Sequence, residues 1–327
     1  LNPARLLRFL LQRLAKAVVV IFAITVTCFL LIHAAPGDPA SVMAGESGAA
    51  DAQFVAQLRH QFGLDQPLST QLWLYVKDVA QLDLGFSHRQ QQPVLTLILA
   101  RLPATLLLTI TAFVFAICSG VLLGAMAARR VGRISDSVIT VFALGFYATP
   151  IFWVGLMLVL VFSVWLDWLP SFGMMTVGAD LHGLAMLEDR AQYLVLPALT
   201  LGLFYTAVYA RLTRASMLEV ADQDFVRTAR AKGVPEGRIL RRHILRNALL
   251  PVITFAGIQA GQLIGGSILV ETVFAWPGIG RLAFDALLAR DYPVLLGVFL
   301  CTSVLVIAFN LITDLLYVVI DPRVEAA

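Results

Sequence analysis

Six apolar runs divide the chain, at 14–34, 103–128, 138–166, 194–217, 250–271 and 294–319. Each reaches the roughly 20 residues that a helix rising about 1.5 Å per residue needs to cross a hydrocarbon layer about 30 Å thick. Inside such a layer every backbone N–H and C=O must find its partner within the segment, so the runs can fold only as helices. With 59% hydrophobic and 14% charged residues and a mean hydropathy of +0.83, the chain is not a soluble globular domain. The expected fold is all-α and polytopic, with six transmembrane helices.

The basic residues set the orientation. Arg5, Arg8, Arg13 and Lys16 flank the first run, which is too long for the apolar region of a secretory signal and is expected to stay as a membrane helix. With a cytoplasmic N-terminus, the inner segments hold 17 Lys/Arg against 7 Asp/Glu, and the outer ones 7 against 13. The reverse orientation would invert the positive-inside bias. Residues 1–34 then carry a cytoplasmic N-terminus and the first helix, and 35–100 an external loop or cap. Residues 101–320 form a five-helix core with a cytoplasmic loop at 218–248, and 321–327 a cytoplasmic tail. The net charge of +3 follows from basic residues flanking spans and is no argument for nucleic acid.

Smaller features predict local structure. Pro103, Pro197, Pro251 and Pro293 are expected in first turns, where a missing N–H costs nothing. Pro150 falls inside the third run, between Gly145 and Gly155, and predicts a kink that is also a hinge candidate. Phe54, Leu58 and Phe62, four apart and followed by Gly63, predict a short amphipathic helix in the external cap, with turns at "LDLGFS" and "QQQPV". Gly257, Gly261 and Gly265 place a close-packing stripe on the fifth run. Gln259 and Gln262 lie off it and are candidates for the translocation path or for interhelical hydrogen bonds. Asn310 and Asp314, one turn apart near the cytoplasmic end of the last run, suit anchoring or ion pairing. Cys28, Cys118 and Cys301 sit within spans with no metal or redox spacing and read as core thiols.

One segment stands apart: "DQDFVRTARAKGVPEGRILRRHILRN", residues 222–247, with seven Lys/Arg in 26 positions. Asp222 is a plausible N-cap for a helix from Gln223, and Gly233 suits the position just past its end. Phe225, Ala229 and Lys232 are expected on one side of that helix. After Pro235 the helix restarts with Arg238, Arg241, Arg242 and Arg246 forming a basic face and Ile239, Leu240, Ile244 and Leu245 apolar contacts. Lipid headgroups account for the arginines. A slim Ala/Thr helix, a glycine and a second helix point further, to a protein-docking element.

This loop resembles the cytoplasmic coupling loop of membrane subunits of binding-protein-dependent ABC importers. Arg227–Gly233 and His243–Pro251 are similar to the form used in the dipeptide/oligopeptide/nickel branch, with Arg227 and Thr228 replacing the glutamate and first alanine of the generic pattern. Pro36–Pro39, Leu64–Leu68, Trp276–Arg281, Arg290–Val294 and Asp321–Arg323 resemble the same branch, in the order of its first, B-type permease. The resemblance implies the type I importer permease fold. It also implies docking of Asp224, Phe225, Arg227, Thr228, Ala229, Arg230, Ala231, Lys232 and Gly233 into a cytoplasmic ATPase. Implied partners are a second, C-type permease, two ATPase subunits, a periplasmic substrate-binding protein and the bilayer of a bacterial inner membrane. ATP and Mg2+ would be bound on the ATPase partners, with no cofactor or metal on this chain. The implied cargo is a dipeptide or oligopeptide; nickel or a metallophore, glutathione and opines are the alternatives.

Other classes fit less well. None of Lys16, Lys77 and Lys232 follows a glycine, so no Walker loop exists and the chain is not expected to be an enzyme. His33, His60, His88, His182 and His243 are scattered, none precedes Glu, and no Gly-x-Ser-x-Gly elbow occurs. An ion-coupled secondary transporter or a channel is the remaining rival, and one clearly intramembrane acid, Asp314, is little for such coupling.

Overall fold

A computed structural model describes residues 3–34, 65–179 and 181–320. The expected helix around Phe54–Phe62 and the motifs at Pro36–Pro39 and Asp321–Arg323 lie outside the described residues, as do Leu64 and the side chains of Gln262 and Asp314. Helix α1 covers Pro3–Ala34 and α2 Leu68–Ala80, followed by a two-residue antiparallel ribbon of β1 (Phe86–Ser87) and β2 (Gln92–Pro93). Then come α3 (Val94–Ala128), α4 (Ile134–Ala148) and α5 (Ile151–Leu158), the last continued by a π-helical segment, Val159–Trp165. Helix α6 (Leu184–Ala221) leads to α7 (Asp224–Ala231). A single turn, α8 (Glu236–Arg238), and a π-helical segment, Ile239–Leu245, run into α9 (Arg246–Val273). The chain continues through α10 (Ile279–Ala289) and α11 (Tyr292–Ile320).

Four helical stretches are long and apolar enough to cross a membrane: Leu11–Leu31, Val94–Ala128, Leu184–Ala221 and Tyr292–Thr313. The pair α4 and α5 with its π-helical extension makes a fifth if taken as one broken span. The run at 250–271 lies in α9, several of whose side chains fall outside the described residues, and among the described residues four or five of the six expected spans are found.

The prolines correct the sequence reading. Pro103, Pro197 and Pro251 lie inside α3, α6 and α9 rather than in first turns. The edges of an apolar run mark where hydrocarbon begins, whereas the helix continues through the polar boundary. Each proline then frees one carbonyl a turn earlier, which a packed membrane helix tolerates. Pro293, the second residue of α11, sits where expected. Pro150 does more than kink: α4 ends at Ala148, Thr149 and Pro150 are extended, and the chain turns by 108° into α5. Gly155 adds close packing rather than flexibility, since a Cβ there would meet Phe274 at 3.1 Å and Thr200 at 3.2 Å.

The chain forms two compact units, one from Leu1–Leu102 and Leu282–Leu311, the other from Pro103–Arg281 and Ile312–Val324, with a few terminal residues assigned to the first. In the first, Cys28 of α1 packs with Leu296 and Leu300 of α11, bordered by Tyr75 and Val79 of α2. Asp291 accepts the Ser87 Oγ hydrogen bond at 2.5 Å and the Val294 N–H, so "RDYPV" is the start of α11 with Asp291 as its cap.

In the second unit α6 is central. Leu196, Leu201, Tyr205 and Tyr209 pack against Leu108, Ala112 and Ala116 of α3 and Val252, Ala256 and Val270 of α9. Gly120 and Gly124, four apart on α3, let it touch the α6 backbone. A Cβ on Gly124 would lie 2.5 Å from the Ala210 carbonyl oxygen. Helix α6 is 38 residues long, about 57 Å, and so extends beyond a hydrocarbon layer of about 30 Å. Of the cysteines, Cys28 is buried and Cys301 partly buried, but Cys118 is exposed on α3 and is not a core thiol.

Candidate functional site

The segment at 222–247 folds as helix, glycine, helix. Asp222 closes α6 instead of opening the next helix, and Gln223 is the N-terminal flank of α7. Helix α7 ends as the glycine predicts. Gly233 has φ +73°, its N–H donates to Arg230 O at 2.9 Å, and the Val234 N–H donates to Ala229 O at 3.2 Å. This pair of bonds is the Schellman closure, and glycine reaches its left-handed backbone without steric cost.

One face of α7 is fixed to its own chain. Val226 and Ala229 are buried in a small core with Met217 and Val220 of α6, Ile239 and Ile244 of the π-helical segment, and Ala248 of α9. Ala229 lies one turn from Phe225 on the same side, as expected, but is only 7% exposed in this core while Phe225 sits at its edge, so Ala229 offers no docking surface of its own. A helix turning 100° per residue sets 226 and 229 on one face and 224, 227, 228 and 231 away from it. Asp224, Phe225, Arg227, Thr228, Arg230, Ala231, Lys232 and Gly233 are all exposed, Phe225 at 39% despite its apolar ring. Arg230 Nε donates to Glu236 Oε1 at 2.8 Å, bracing α7 on α8, and Thr228 Oγ1 donates to Asp224 O at 2.9 Å. Arg238, Arg241, Arg242 and Arg246 are exposed on the second helix, opposite buried Ile239 and Ile244. The result is a short helix presented outward on a rigid mount. Among the described residues no group of three or more His, Cys, Asp or Glu side chains gathers to hold a metal ion.

On α9, a Cβ on Gly257 would collide with Thr313 of α11, whose Oγ1 donates to Gly257 O at 3.2 Å. Gly261 is buried, whereas a Cβ added at Gly265 would meet nothing within 4 Å, and Gln259 is half-buried. Asn310 is exposed on α11.

Sequence reasoning missed Glu271. It is fully buried near the end of α9 and takes hydrogen bonds from Thr105 Oγ1 at 2.8 Å, Ser267 Oγ at 3.0 Å and the Arg281 N–H at 3.0 Å, with the Gly280 N–H a further donor. Thr105 Oγ1 accepts from the Ile279 N–H at 2.8 Å, and the Trp276 ring N–H donates to Ala104 O at 2.9 Å. "WPGIGR" is thus the turn that wraps this carboxylate at the start of α10. The available signal was an acid in an apolar run just before Trp-Pro-Gly; its partner Thr105, on α3, has no sequence mark.

The chain belongs to the family described as binding-protein-dependent transport system inner membrane component, matched over residues 120–326, with the N-terminal region of such components matched over 6–109. It is the permease subunit of a binding-protein-dependent ABC importer, a multi-pass inner-membrane protein. It is 44% identical over 320 residues to the glutathione transport system permease protein of Escherichia coli O6:H1 (strain CFT073), covering 98% of this chain and 99% of that one. The corresponding proteins of Escherichia coli K12 and Shigella dysenteriae serotype 1 are 43% identical over the same shares. Among solved structures, an inward-facing MetNI methionine ABC transporter matches with a TM-score of 0.55 at 18% identity, covering 69% of this chain and 96% of that one. An amino acid ABC transporter with histidines matches at 0.51 and 16%, covering 68% and 92%. These two share the fold.

Proposed function

We propose that the chain conducts short peptides, glutathione first among them, delivered by an external binding protein, and that α7 receives the drive from a separate ATPase. The cargo reading is supported by 43–44% identity to glutathione permeases along 98% of the chain. Glutathione is one of the alternatives to the expected dipeptide or oligopeptide cargo, and these relatives are what put it first. The single observation supporting the coupling role is α7 itself, with Val226 and Ala229 anchored in the chain's own core and Phe225, Arg227, Thr228 and Ala231 presented outward. An outward aromatic and slim neighbours suit a cleft in a partner protein, and the flanking arginines suit an anionic membrane face.

In this reading the working assembly holds this chain, a second permease, two ATPase subunits and the binding protein, with ATP and Mg2+ on the ATPases. Both termini and the 218–248 loop face the cytoplasm, as the Lys/Arg bias requires. Trp165 and Trp168, exposed at the far end of the α4–α5 span, suit the opposite interface. Purification of the tagged chain from its native membrane, followed by mass spectrometry of the complex and of the ligand on its binding protein, tests this. ATPase subunits and a peptide ligand support it. A chain that transports alone, without them, overturns it.

A further inference from the structure

Helix α6 ends at Ala221 and α7 begins at Asp224, so whatever moves α7 pulls directly on the end of α6. Ten residues before α7, Arg214 forms a two-pronged ion pair with Asp136 in the first turn of α4. Nε donates to Oδ1 at 2.7 Å and Nη2 to Oδ2 at 2.9 Å. Asp136 also accepts the Gly132 N–H at 3.1 Å, which ties in the turn between α3 and α4. The Asp136 side chain is 8% exposed and the Arg214 side chain 31%, so this is no loose surface pair. Parallel forks of this kind fix orientation as well as distance. Further along the same two helices, Tyr147 of α4 stacks on Phe204 of α6 at 5.5 Å, and Arg211 lies 4.8 Å over the Tyr147 ring. Just past Ala148 the span breaks at Thr149–Pro150. Helix α4 is thus tied to α6 at its start and near its end, and is free of α5's direction immediately beyond.

We propose that the Asp136–Arg214 pair is a strut that carries motion of α7 through α6 into α4, the broken span yielding at Thr149–Pro150. Both are positioning residues, acting through the helices they join. The proposal rests on the coupling role given to α7 above. Its physical content is directional: the fork resists sliding of α4 along α6, so displacement at the end of α6 is transmitted rather than absorbed. Without the fork, α4 retains its packing on α6 and the aromatic contacts, which lack the fork's directional hold.

The test uses the complete complex with its binding protein in lipid nanodiscs for hydrolysis and in proteoliposomes for uptake. The variants are Asp136→Asn, Arg214→Gln and the exchange of Asp136→Arg with Arg214→Asp. The readout is substrate taken up per ATP hydrolysed, which a merely structural role would leave unchanged in the complex that assembles. Single variants are expected to keep basal hydrolysis and lose about tenfold in uptake per ATP, with the exchange recovering most of it. Wild-type uptake per ATP in the singles, or an assembled exchange variant no better than they are, overturns the strut. If the singles do not assemble, the exchange decides alone. Thr228→Trp separates the two ideas. If it leaves uptake per ATP intact, the coupling role of α7 fails; if it uncouples while the strut variants transport normally, only the strut fails.

Discussion

Thr105 Oγ1 donates to Glu271 Oε1 at 2.8 Å while accepting the Ile279 N–H, so one hydroxyl joins α3, α9 and the start of α10. The carboxylate receives only donors: two hydroxyls and the first free N–H groups of α10. An ionised carboxylate is acceptor-only, and the positive end of a helix dipole favours it. Glu271→Gln turns an amide N–H toward backbone N–H groups that then lose their acceptor. The purified protein should lose about 1–3 kcal/mol of stability, read as a lower unfolding temperature, while Thr105→Ser stays near wild type. Equal unfolding temperatures for Glu271→Gln and wild type would contradict the knot.

The two faces of α7 should respond differently. Thr228→Trp and Ala231→Trp point to solvent and should leave expression and membrane insertion unchanged, while uptake per ATP falls by about tenfold or more. Ala229→Trp overfills the core shared with Met217 and Ile239 and should reduce the yield of folded protein, at a cost of about 1–3 kcal/mol. Fluorescence-detected size exclusion separates folding from uptake in both cases.

Among the described residues four helices end in the same left-handed closure, α2 at Leu82 with φ +62° and likewise α7, α9 and α10, with different residues bearing the steric cost. Gly233 has φ +73°, whereas Ala275 after α9 and Arg290 after α10 hold φ +51° and +57°. A side chain in that region costs about 1–2 kcal/mol. Gly233→Ala should destabilise by about that amount, since nothing else crowds the position. Ala275→Gly should stabilise, by somewhat less once glycine's freedom in the unfolded chain is counted. Opposite shifts in unfolding temperature are the expected result.

Gly120 and Gly124 should be intolerant of growth. A Cβ on either meets α6 at 2.5 Å, at Tyr209 Cβ and the Ala210 carbonyl oxygen respectively, and helix backbones cannot step aside as a flexible side chain can. Gly124→Leu should abolish recovery of folded protein, whereas Gly145→Ala, with open space around it, should be recovered at wild-type levels.

The apolar runs revealed the helices because hydrocarbon leaves the backbone no other choice. They did not reveal where helices begin, so Pro103, Pro197 and Pro251 lie in interiors. The end of α7 was legible because only glycine takes its backbone cheaply, yet the same closure at Ala275 and Arg290 carries no glycine and was invisible. Which face of α7 turns inward was decided by Val226, whose partners come from α6, the π-helical segment and α9. The π-helical segments and the Glu271 knot were not legible at all. The first depend on packing around an added residue per turn, and the second joins side chains 166 positions apart. Gly120 and Gly124 carry the same four-residue spacing as Gly257 and Gly261, but spacing alone does not say which helix approaches.

On the function proposed above, this chain is a passive conduit driven through α7. The direct measurement is uptake of labelled glutathione into proteoliposomes holding the chain, its partner permease and their ATPases, with the binding protein outside and ATP inside. Accumulation should require both ATP and the binding protein and should stop in Thr228→Trp while hydrolysis continues. Uptake by the chain alone under an ion gradient, or undiminished uptake in Thr228→Trp, would contradict it.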